Sequence, residues 1–308
     1  MVRGAFRFVA LVVLFCSFTR AAIAGPITID NGTAERLPKG KWDVEFHYGY
    51  YQMTVIKNTA YWGYTKGDGK MDDINDRDTR YINQVAMMEV YHGFTDRLML
   101  GAVFPYVWQD VKKQPWVGGD EVESNGFSDI LLRGCYNFLD PQEYFIGFSL
   151  GGCAVFPSGD EDKDPPLGNG RYELILAPLF TMIVDERSKL HVTLWYAWQL
   201  KNEDYRYWNM YSHQDSGDEF HYGIVGEHAL TKRINLVLEL NGWIAPDHKG
   251  REGQRIEGTG YHKIDITPGI QIGITPNTTF EAALKISVKH GGDFDYDVAP
   301  VVGIVLVF

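Results

Sequence analysis

The sequence predicts an all-β protein, an antiparallel up-and-down transmembrane β-barrel of about 12 strands. Three observations predict this fold. Runs of about 11–14 residues alternate between apolar and polar positions, short turns alternate with longer polar loops, and aromatic side chains collect at the ends of the apolar faces. Such runs exceed the usual soluble strand of about five or six residues and suit a strand that crosses a bilayer at a tilt.

Residues 1–24 have the pattern of a secretory signal peptide. Two arginines give a positively charged start, an apolar stretch follows, and Ala22 and Ala24 form a small-x-small cleavage site. This pattern predicts that the protein is exported. Residues 25–40 are then a short polar segment, which lies either in the periplasm or inside the lumen.

Residues 41–308 divide into strand-like runs that predict the barrel itself. Apolar side chains fall on the even-numbered positions of these runs, as at Leu236, Leu238 and Leu240, whereas the odd-numbered positions are mostly small or polar. The runs are 41–56, 80–92, 97–111, 126–138, 144–157, 172–183, 189–202, 219–229, 233–245, 260–274, 278–289 and 295–308.

A soluble β-sandwich would also have strands with one apolar and one polar face. Here short turns recur about every 45 residues with a long polar loop between them, which is typical of periplasmic turns and outer loops. The last strand ends in Phe308 and resembles the C-terminal assembly signal of outer-membrane barrels. We therefore predict a barrel of the bacterial outer membrane, in contact with its lipid and inserted by the barrel assembly machinery. An even number of strands places both termini in the periplasm.

Charge and hydropathy exclude other classes of protein. The 308 residues include 29 Lys and Arg against 40 Asp and Glu, a formal net charge of −11. A chain this acidic lacks the basic patch that binding to nucleic acid requires. Beyond the N-terminus no run of about 18 apolar residues occurs, which excludes membrane-spanning helices.

The odd-numbered face predicts a polar lumen that is rich in acidic side chains. If it is hydrated, such a lumen is a channel that favours cations or neutral solutes. If the charged side chains of the lumen pair across strands, they block the pore and the protein is a structural or adhesive barrel. The sequence leaves both alternatives open. Asp129 and Arg133 are candidates for the constriction network, and the alternative for both is an ordinary interior salt ladder. The full set of lumen and constriction candidates is Asp129, Arg133, Glu173, Glu239, Glu281 and Lys285.

No pattern in the sequence predicts catalysis, a cofactor or a metal site, and we expect no enzyme activity. Ser212 and His213 are neighbours in a loop, an arrangement that rarely gives the geometry of a nucleophile and its base, so a hydrolase is the less favoured alternative. His213, Asp215 and His221 do not match the spacing of a known metal site.

Cys135 and Cys153 are expected to remain unpaired on the lumen side, although an exported chain enters an oxidising compartment. A tight turn near Pro141 would place Cys135 opposite Gly147 and Cys153 opposite Asp129. This register separates the two sulfurs by roughly 20 Å along the hairpin, too far for a disulfide.

Four segments carry the motifs of one known family. Residues 89–106 (EVYHGFTDRLMLGAVFPY) resemble its strand-turn-strand motif, and residues 126–138 (GFSDILLRGCYNF) resemble its G-x-G-D strand. Residues 156–170, which contain FPSGD and LGNG, are similar to its P-T-G loop and Gly-rich sequel. Residues 268–279, which contain PGIQ and TPNTT, look like its closing hairpin, and all four occur in the family's order.

This family comprises the outer-membrane proteins grouped with the meta-pathway of phenol degradation. The chain departs from it at His92 within the Y-G pair, at Ser128 in place of the second Gly and at Ser158 in place of Thr. The resemblance implies an outer-membrane barrel that acts as a channel or transporter for small solutes, with aromatic or hydrophobic compounds as its cargo. A polar lumen fits a wholly hydrophobic cargo poorly.

Overall fold

The structure, a computed structural model, describes most of the chain from residue 33 to the C-terminus. The described residues are 33–35, 37–55, 80–112, 121–163, 165–168, 170–200, 206–207, 211–212, 217–247, 260–289, 294–296 and 298–308. None of them forms a helix long and apolar enough to cross a membrane. The signal peptide predicted for residues 1–24 lies outside the described residues.

The described part of the chain is built from β-strands. Their bounds are β1 (Trp42–Val55), β2 (Arg80–Gly93), β3 (Leu98–Lys112), β4 (Val122–Phe127), β5 (Ile130–Leu139), β6 (Ile146–Phe156), β7 (Glu173–Ile183), β8 (Ser188–Gln199), β9 (Arg206–Tyr207), β10 (Tyr211–Ser212), β11 (Glu219–Ala229), β12 (Ile234–Ala245), β13 (Tyr261–Thr275), β14 (Thr278–Lys289), β15 (Phe294–Tyr296) and β16 (Val298–Val307). β9 and β10 form a small separate hairpin. β4 continues into β5, and β15 into β16, so the wall has the twelve strands that the sequence predicts.

β1 closes the barrel, because it pairs with β2 on one side and with β15 and β16 on the other. At this seam the Trp42 N–H donates to the Phe308 carbonyl at 2.8 Å, and the Phe308 N–H donates to the Trp42 carbonyl at 3.0 Å. Closure pairs the backbone N–H and C=O groups of both edge strands of the sheet. A strand in the hydrocarbon core of a membrane needs this pairing, because hydrocarbon offers no hydrogen-bond partner. The predicted fold, a closed antiparallel barrel, is confirmed.

In the regular parts of the strands, even-numbered side chains point out of the barrel and odd-numbered side chains point into it, as predicted. On β12, Leu236 and Leu238 are 42% and 56% exposed, whereas Glu239 is 2% exposed and Asn241 is fully buried. Large apolar side chains are exposed in the same way on most other strands. The apolar face of the strands is therefore the outer face of the barrel.

The alternation reverses within the fourth strand of the wall, which the sequence analysis did not predict. β4 and β5 both pair with β3, and β4 does so in a register that sets Tyr106 opposite Phe127. The register of β5 with β3 differs from that of β4 by one residue. Phe127 is therefore an odd-numbered residue that points outward, and Ser124 is an even-numbered residue that is buried inside. Ser128 and Asp129 accommodate the extra residue, as in a β-bulge.

Short turns join the strands at one end of the barrel, called the short-turn end below; the opposite end is the long-loop end. The hydroxyl of Thr95 accepts hydrogen bonds from the backbone N–H groups two and three residues later, and that of Thr231 does the same. In a third turn, hydrogen bonds from the Arg187 N–H and the Ser188 hydroxyl lower the pKa of Asp185. Local side-chain hydrogen bonds thus hold these turns at their predicted positions.

The pairing of β5 with β6 differs from the predicted register. Cys135 lies opposite Gly151 rather than Gly147. Cys153 lies opposite Arg133. The turn between these strands is longer than the tight turn that the prediction assumed, which shifts the pairing by four residues. Both thiols are free, as predicted, but they are diagonal neighbours on the hairpin instead of being far apart.

Candidate functional site

Glu89 on β2 is the centre of a hydrogen-bonded group on the interior face. Its Oε2 atom accepts a hydrogen bond from Arg133 Nη1 at 2.9 Å and another from the Tyr91 hydroxyl. The same Arg133 nitrogen donates to the Tyr91 oxygen at 3.0 Å. Because Glu89 is only 2% exposed, the guanidinium is what makes burial of its carboxylate tolerable.

Polar side chains on three further strands extend this group around the lumen. On β1, Glu45 lies opposite Glu89, and its Oε2 atom is 2.8 Å from His47 Nε2. On β13 and β14, Gln271 Nε2 donates to Glu281 Oε1 at 2.9 Å. Glu281 is within electrostatic range of Glu45 and His47. The polar belt, as we call it, consists of Glu45, His47, Glu89, Arg133, Gln271 and Glu281.

Two glycines leave room for the polar belt on the strands between its members. Gly303 of β16 lies opposite both His47 and Glu281, and a Cβ atom there would be 2.8 Å from His47 Nδ1. Gly101 of β3 lies opposite Tyr91, and a Cβ atom there would be 2.1 Å from the Tyr91 ring. Any larger residue at either position would displace the side chains that approach it.

A second interior group, closer to the long-loop end, combines aromatic rings with lysines. The His221 ring lies between those of Trp195 and Trp243, with centroids 4.6 and 4.8 Å away. The ammonium groups of Lys263 and Lys285 each lie 5.7 Å from the centroid of the Trp243 ring, within range of a cation–π interaction. We call Trp195, His221, Trp243, Lys263 and Lys285 the aromatic–lysine cluster.

The interior face from β3 to β7 is largely apolar. Val103 lies opposite Leu131, and Leu131 lies opposite Val155, so three branched side chains adjoin one another across β3, β5 and β6. We call these three side chains the apolar strip. Val107 on β3 and Leu179 on β7 are further buried apolar side chains, 6% and 5% exposed. From β11 to β14 and on β1, the buried interior side chains include many that are charged or carry amides. The lumen wall therefore has an apolar side and a polar side.

The described part of the N-terminal segment, predicted as residues 25–40, enters the barrel at the short-turn end. The fully buried Ala34 donates its N–H to Thr181 Oγ1 at 3.1 Å. Its carbonyl accepts hydrogen bonds from Asn137 Nδ2 at 2.7 Å and from Ser149 Oγ at 3.1 Å. These partners fix the segment to β5, β6 and β7. Ala34 is thus held against the inner face of the wall.

The loop between β6 and β7 packs against the inner face of the barrel at the long-loop end. Leu167 is 3% exposed, and a Cβ atom at the inward-facing Gly126 would be 2.6 Å from its side chain. Asp129 Oδ1 accepts a hydrogen bond from the Gly159 N–H at 3.0 Å. Gly168 also packs against the Asp129 carboxylate. Asp129 therefore anchors this loop in the barrel.

The lumen candidates selected from the sequence belong to several interior groups. Arg133 pairs with Glu89, and Asp129 holds a loop, so these two serve different parts of the lumen instead of the shared network that was expected. Glu281 belongs to the polar belt. Lys285 belongs to the aromatic–lysine cluster.

The other two candidates have local partners. Glu173, at the start of β7, has its carboxylate 3.5 Å from Arg171 Nε. Glu239 on β12 accepts a hydrogen bond from Asn241 Nδ2 at 3.2 Å. The proposed metal ligands that were rejected on spacing, His213 and Asp215, lie outside the described residues.

Sequence reasoning did not select His47, Tyr91, Trp195 or Trp243 for the interior groups. All four residues have odd numbers in runs whose even-numbered positions are apolar. The alternation therefore indicated that their side chains face the lumen. Aromatic residues were expected at the membrane interfaces, and the interior position of Trp195 and Trp243 was missed for that reason.

A comparison with curated protein sequences gives no match. Among solved structures, the chain is similar to an outer membrane channel from Pseudomonas putida F1, with a TM-score of 0.71 and 15% identity over 91% of this chain and 100% of the other. It is also similar to the transport unit of the autotransporter AIDA-I from Escherichia coli, with a TM-score of 0.50 and 10% identity over 91% of this chain and 94% of the other. At such identities the likeness establishes the fold alone, that of outer-membrane β-barrels.

A family match extends over most of the barrel. Residues 82–293 match the family described as "Putative MetA-pathway of phenol degradation". The matched range is more than half of the chain and includes the motifs of residues 89–106 and 126–138. The resemblance predicted from those motifs is therefore confirmed. The chain belongs to the MetA-pathway of phenol degradation family, and its fold is that of an outer-membrane β-barrel.

Proposed function

We propose that this protein is an outer-membrane channel for small aromatic compounds that carry a polar group, of which phenols are the simplest. The observation that carries the proposal is the two-sided lumen wall, in which the apolar strip lies across from charged and amide side chains. A phenol has an apolar ring and a hydroxyl group that needs a hydrogen-bond partner, so it matches both sides of this wall. A wholly hydrophobic cargo would match one side only.

The aromatic–lysine cluster supplies a place where such a compound would be held. The ring faces of Trp195 and Trp243 would stack against an aromatic solute, a contact worth about 0.5–1.5 kcal/mol beyond its buried area. The ammonium groups of Lys263 and Lys285 would attract the partial negative charge of its oxygen. The solute would meet this cluster on its way from the long-loop end to the polar belt.

The proposed channel lies in the bacterial outer membrane with its long loops outside and both termini in the periplasm. Bacterial barrels combine short periplasmic turns with longer extracellular loops, and the chain has this arrangement. Phe308, which is 53% exposed, is available as a signal to the barrel assembly machinery, and the apolar outer surface contacts lipid. Transport through the lumen requires no catalytic step and no cofactor.

The proposal is tested by ion current through the purified protein in a planar bilayer. We expect a steady current that added catechol reduces in a saturable way, because the bound ring would occupy the lumen. Replacing the inward-facing Trp243 (Trp243→Ala) removes a stacking surface and should weaken this block roughly 2- to 10-fold. The matched control is Trp198→Ala, because Trp198 is a tryptophan that points outward and is 42% exposed.

Three results would count against an aromatic cargo: a current that catechol does not reduce, a block that Trp243→Ala leaves unchanged, or a block that both variants weaken equally. A protein that carries no current at all would favour the alternative, a plugged structural or adhesive barrel. Two observations support that alternative, namely the N-terminal segment held by Thr181 and Asn137, and the loop anchored by Asp129.

A further inference from the structure

We propose that Glu45, His47 and Glu89 form a binding site for a divalent transition-metal ion, with Zn²⁺ as the best match. The site lies within the polar belt, on the neighbouring strands β1 and β2. Nothing in the proposed solute transport requires a metal, so the site goes beyond that function and stands or fails separately from it.

The geometry brings the three side chains together around one point. One donor atom from each of Glu45, His47 and Glu89 lies within 4.8 Å of the other two. Donors about 2.0–2.2 Å from a Zn²⁺ ion are up to about 4 Å from each other, so small side-chain rotations would complete the site. Glu45 and His47 are two residues apart on one strand and therefore share the interior face.

One buried carboxylate oxygen in this cluster lacks a hydrogen-bond partner in the described structure. This atom is Glu89 Oε1. Glu89 is 2% exposed, so water does not readily satisfy this oxygen. A buried carboxylate oxygen without a partner costs free energy, and an ion bound between the side chains would remove that cost.

The local charge favours a divalent cation. Asp43 is within electrostatic range of Glu45, Glu89 and Glu281. The basic groups paired with these carboxylates are Arg133, with Glu89, and the His47 ring, with Glu45. Carboxylates therefore outnumber basic groups here, which favours binding of a divalent ion.

The types of ligand atom indicate which divalent cation the site would prefer. An imidazole nitrogen combined with carboxylate oxygens is a donor set for Zn²⁺ and related transition metals, whereas Ca²⁺ and Mg²⁺ prefer sites made of oxygen alone. Three protein ligands leave the fourth position of a tetrahedral Zn²⁺ ion without a protein donor.

Neighbouring residues orient the ligands. Arg133 and the Tyr91 hydroxyl hold Glu89 Oε2, which leaves Oε1 for an ion. Gly303 provides the space beside the His47 ring that any larger residue would fill. Supporting contacts of this kind are typical of metal sites, where they fix the direction of the ligands.

The test is a metal titration of the purified, untagged barrel in detergent after treatment with a chelator. We expect one Zn²⁺ per chain by calorimetry and a visible absorption band when Co²⁺ replaces it. His47→Gln and Glu89→Gln should each abolish this saturable binding. The matched control is His191→Gln, because His191 is also buried in the lumen but is paired, among the described residues, with the single carboxylate of Glu227 at 3.6 Å.

The proposal is overturned if the wild type binds no stoichiometric ion, if both ligand variants bind as the wild type does, or if His191→Gln loses binding equally. Circular dichroism will establish that each variant has folded. Should a ligand variant fail to fold, Tyr91→Phe serves in its place: it removes the hydroxyl that orients Glu89 and should weaken Zn²⁺ binding roughly 10-fold. Unchanged affinity in that variant would contradict the orienting role on which the site depends.

Discussion

Glu89 is the residue on which the interior network depends, because its buried carboxylate is bonded to Arg133 and Tyr91 and lies opposite Glu45. Removing one partner of a buried ion pair is costly, since the other charge remains buried without compensation. Removing both charges together costs much less. The contact between Glu89 and Arg133 can therefore be tested by comparing single and double substitutions.

Arg133→Gln should lower the free energy of unfolding by about 3 kcal/mol, a value at the low end for a buried pair because the arginine side chain is 33% exposed. The double variant Arg133→Gln with Glu89→Gln should recover most of this loss, since no unpaired carboxylate remains. Urea unfolding of the protein in lipid vesicles measures both. Equal destabilisation by the single and the double variant would show that the charge of Glu89 is not what Arg133 compensates.

Glu89 and Arg133 were predicted to lie on the interior face, but their contact was not predicted. Alternation along a strand determines the face on which a side chain lies, because successive residues point in opposite directions. The contact crosses β3 and depends on the registers of two strand pairs and on the space that Gly101 leaves. Neither register can be derived from the alternation alone. The contact between Glu89 and Arg133 was missed for this reason.

Among the structural elements, the N-terminal segment has the most direct bearing on passage through the lumen. Its Ala34 is fully buried and bonded to three strands of the wall at the short-turn end. Glu35 adds an ion pair with Lys189 of β8. The segment therefore occupies part of the interior that a solute would otherwise use.

Deletion of residues 25–35 should increase the ion current of a single channel, because the space around Ala34 becomes free. The measurement is single-channel recording in planar bilayers at fixed salt. Glu35→Gln is the control, since it weakens one ion pair and leaves the backbone of the segment in place. An unchanged current after the deletion would mean that the segment does not limit passage.

The strands and turns were predictable to different degrees. The turns at Thr95 and Thr231 carry their own hydrogen-bond acceptors, so their positions follow from local sequence. The register of β5 with β6 was wrong because the length of the turn near Pro141 decides it, and no local pattern indicated the extra residues. The register shift between β4 and β5 was indicated in the sequence by one residue, Phe127, which is apolar although its number is odd.

At the scale of the whole molecule, an apolar outer surface explains the closed barrel. Twelve strands of alternating pattern can bury their backbone hydrogen bonds in hydrocarbon only when the first strand meets the last. The paired backbone groups of Trp42 and Phe308 accomplish this at the seam. Strand number, closure and, outside β4, the direction of each face could be predicted, because they depend on the pattern of the entire chain instead of on single contacts.

Met87 and Met88 provide the most direct test, because they are neighbours of the same type on β2 and point to opposite faces. Each is replaced in turn by a spin-labelled cysteine (Met87→Cys or Met88→Cys) in a protein that carries Cys135→Ser and Cys153→Ser. In lipid vesicles the label at position 88, where the methionine is 37% exposed, should collide with oxygen dissolved in the bilayer and be shielded from a water-soluble nickel complex. The label at position 87 should respond in the opposite way. Equal access of the nickel complex to both labels, or oxygen preference at both, would contradict a barrel with lipid outside and water within.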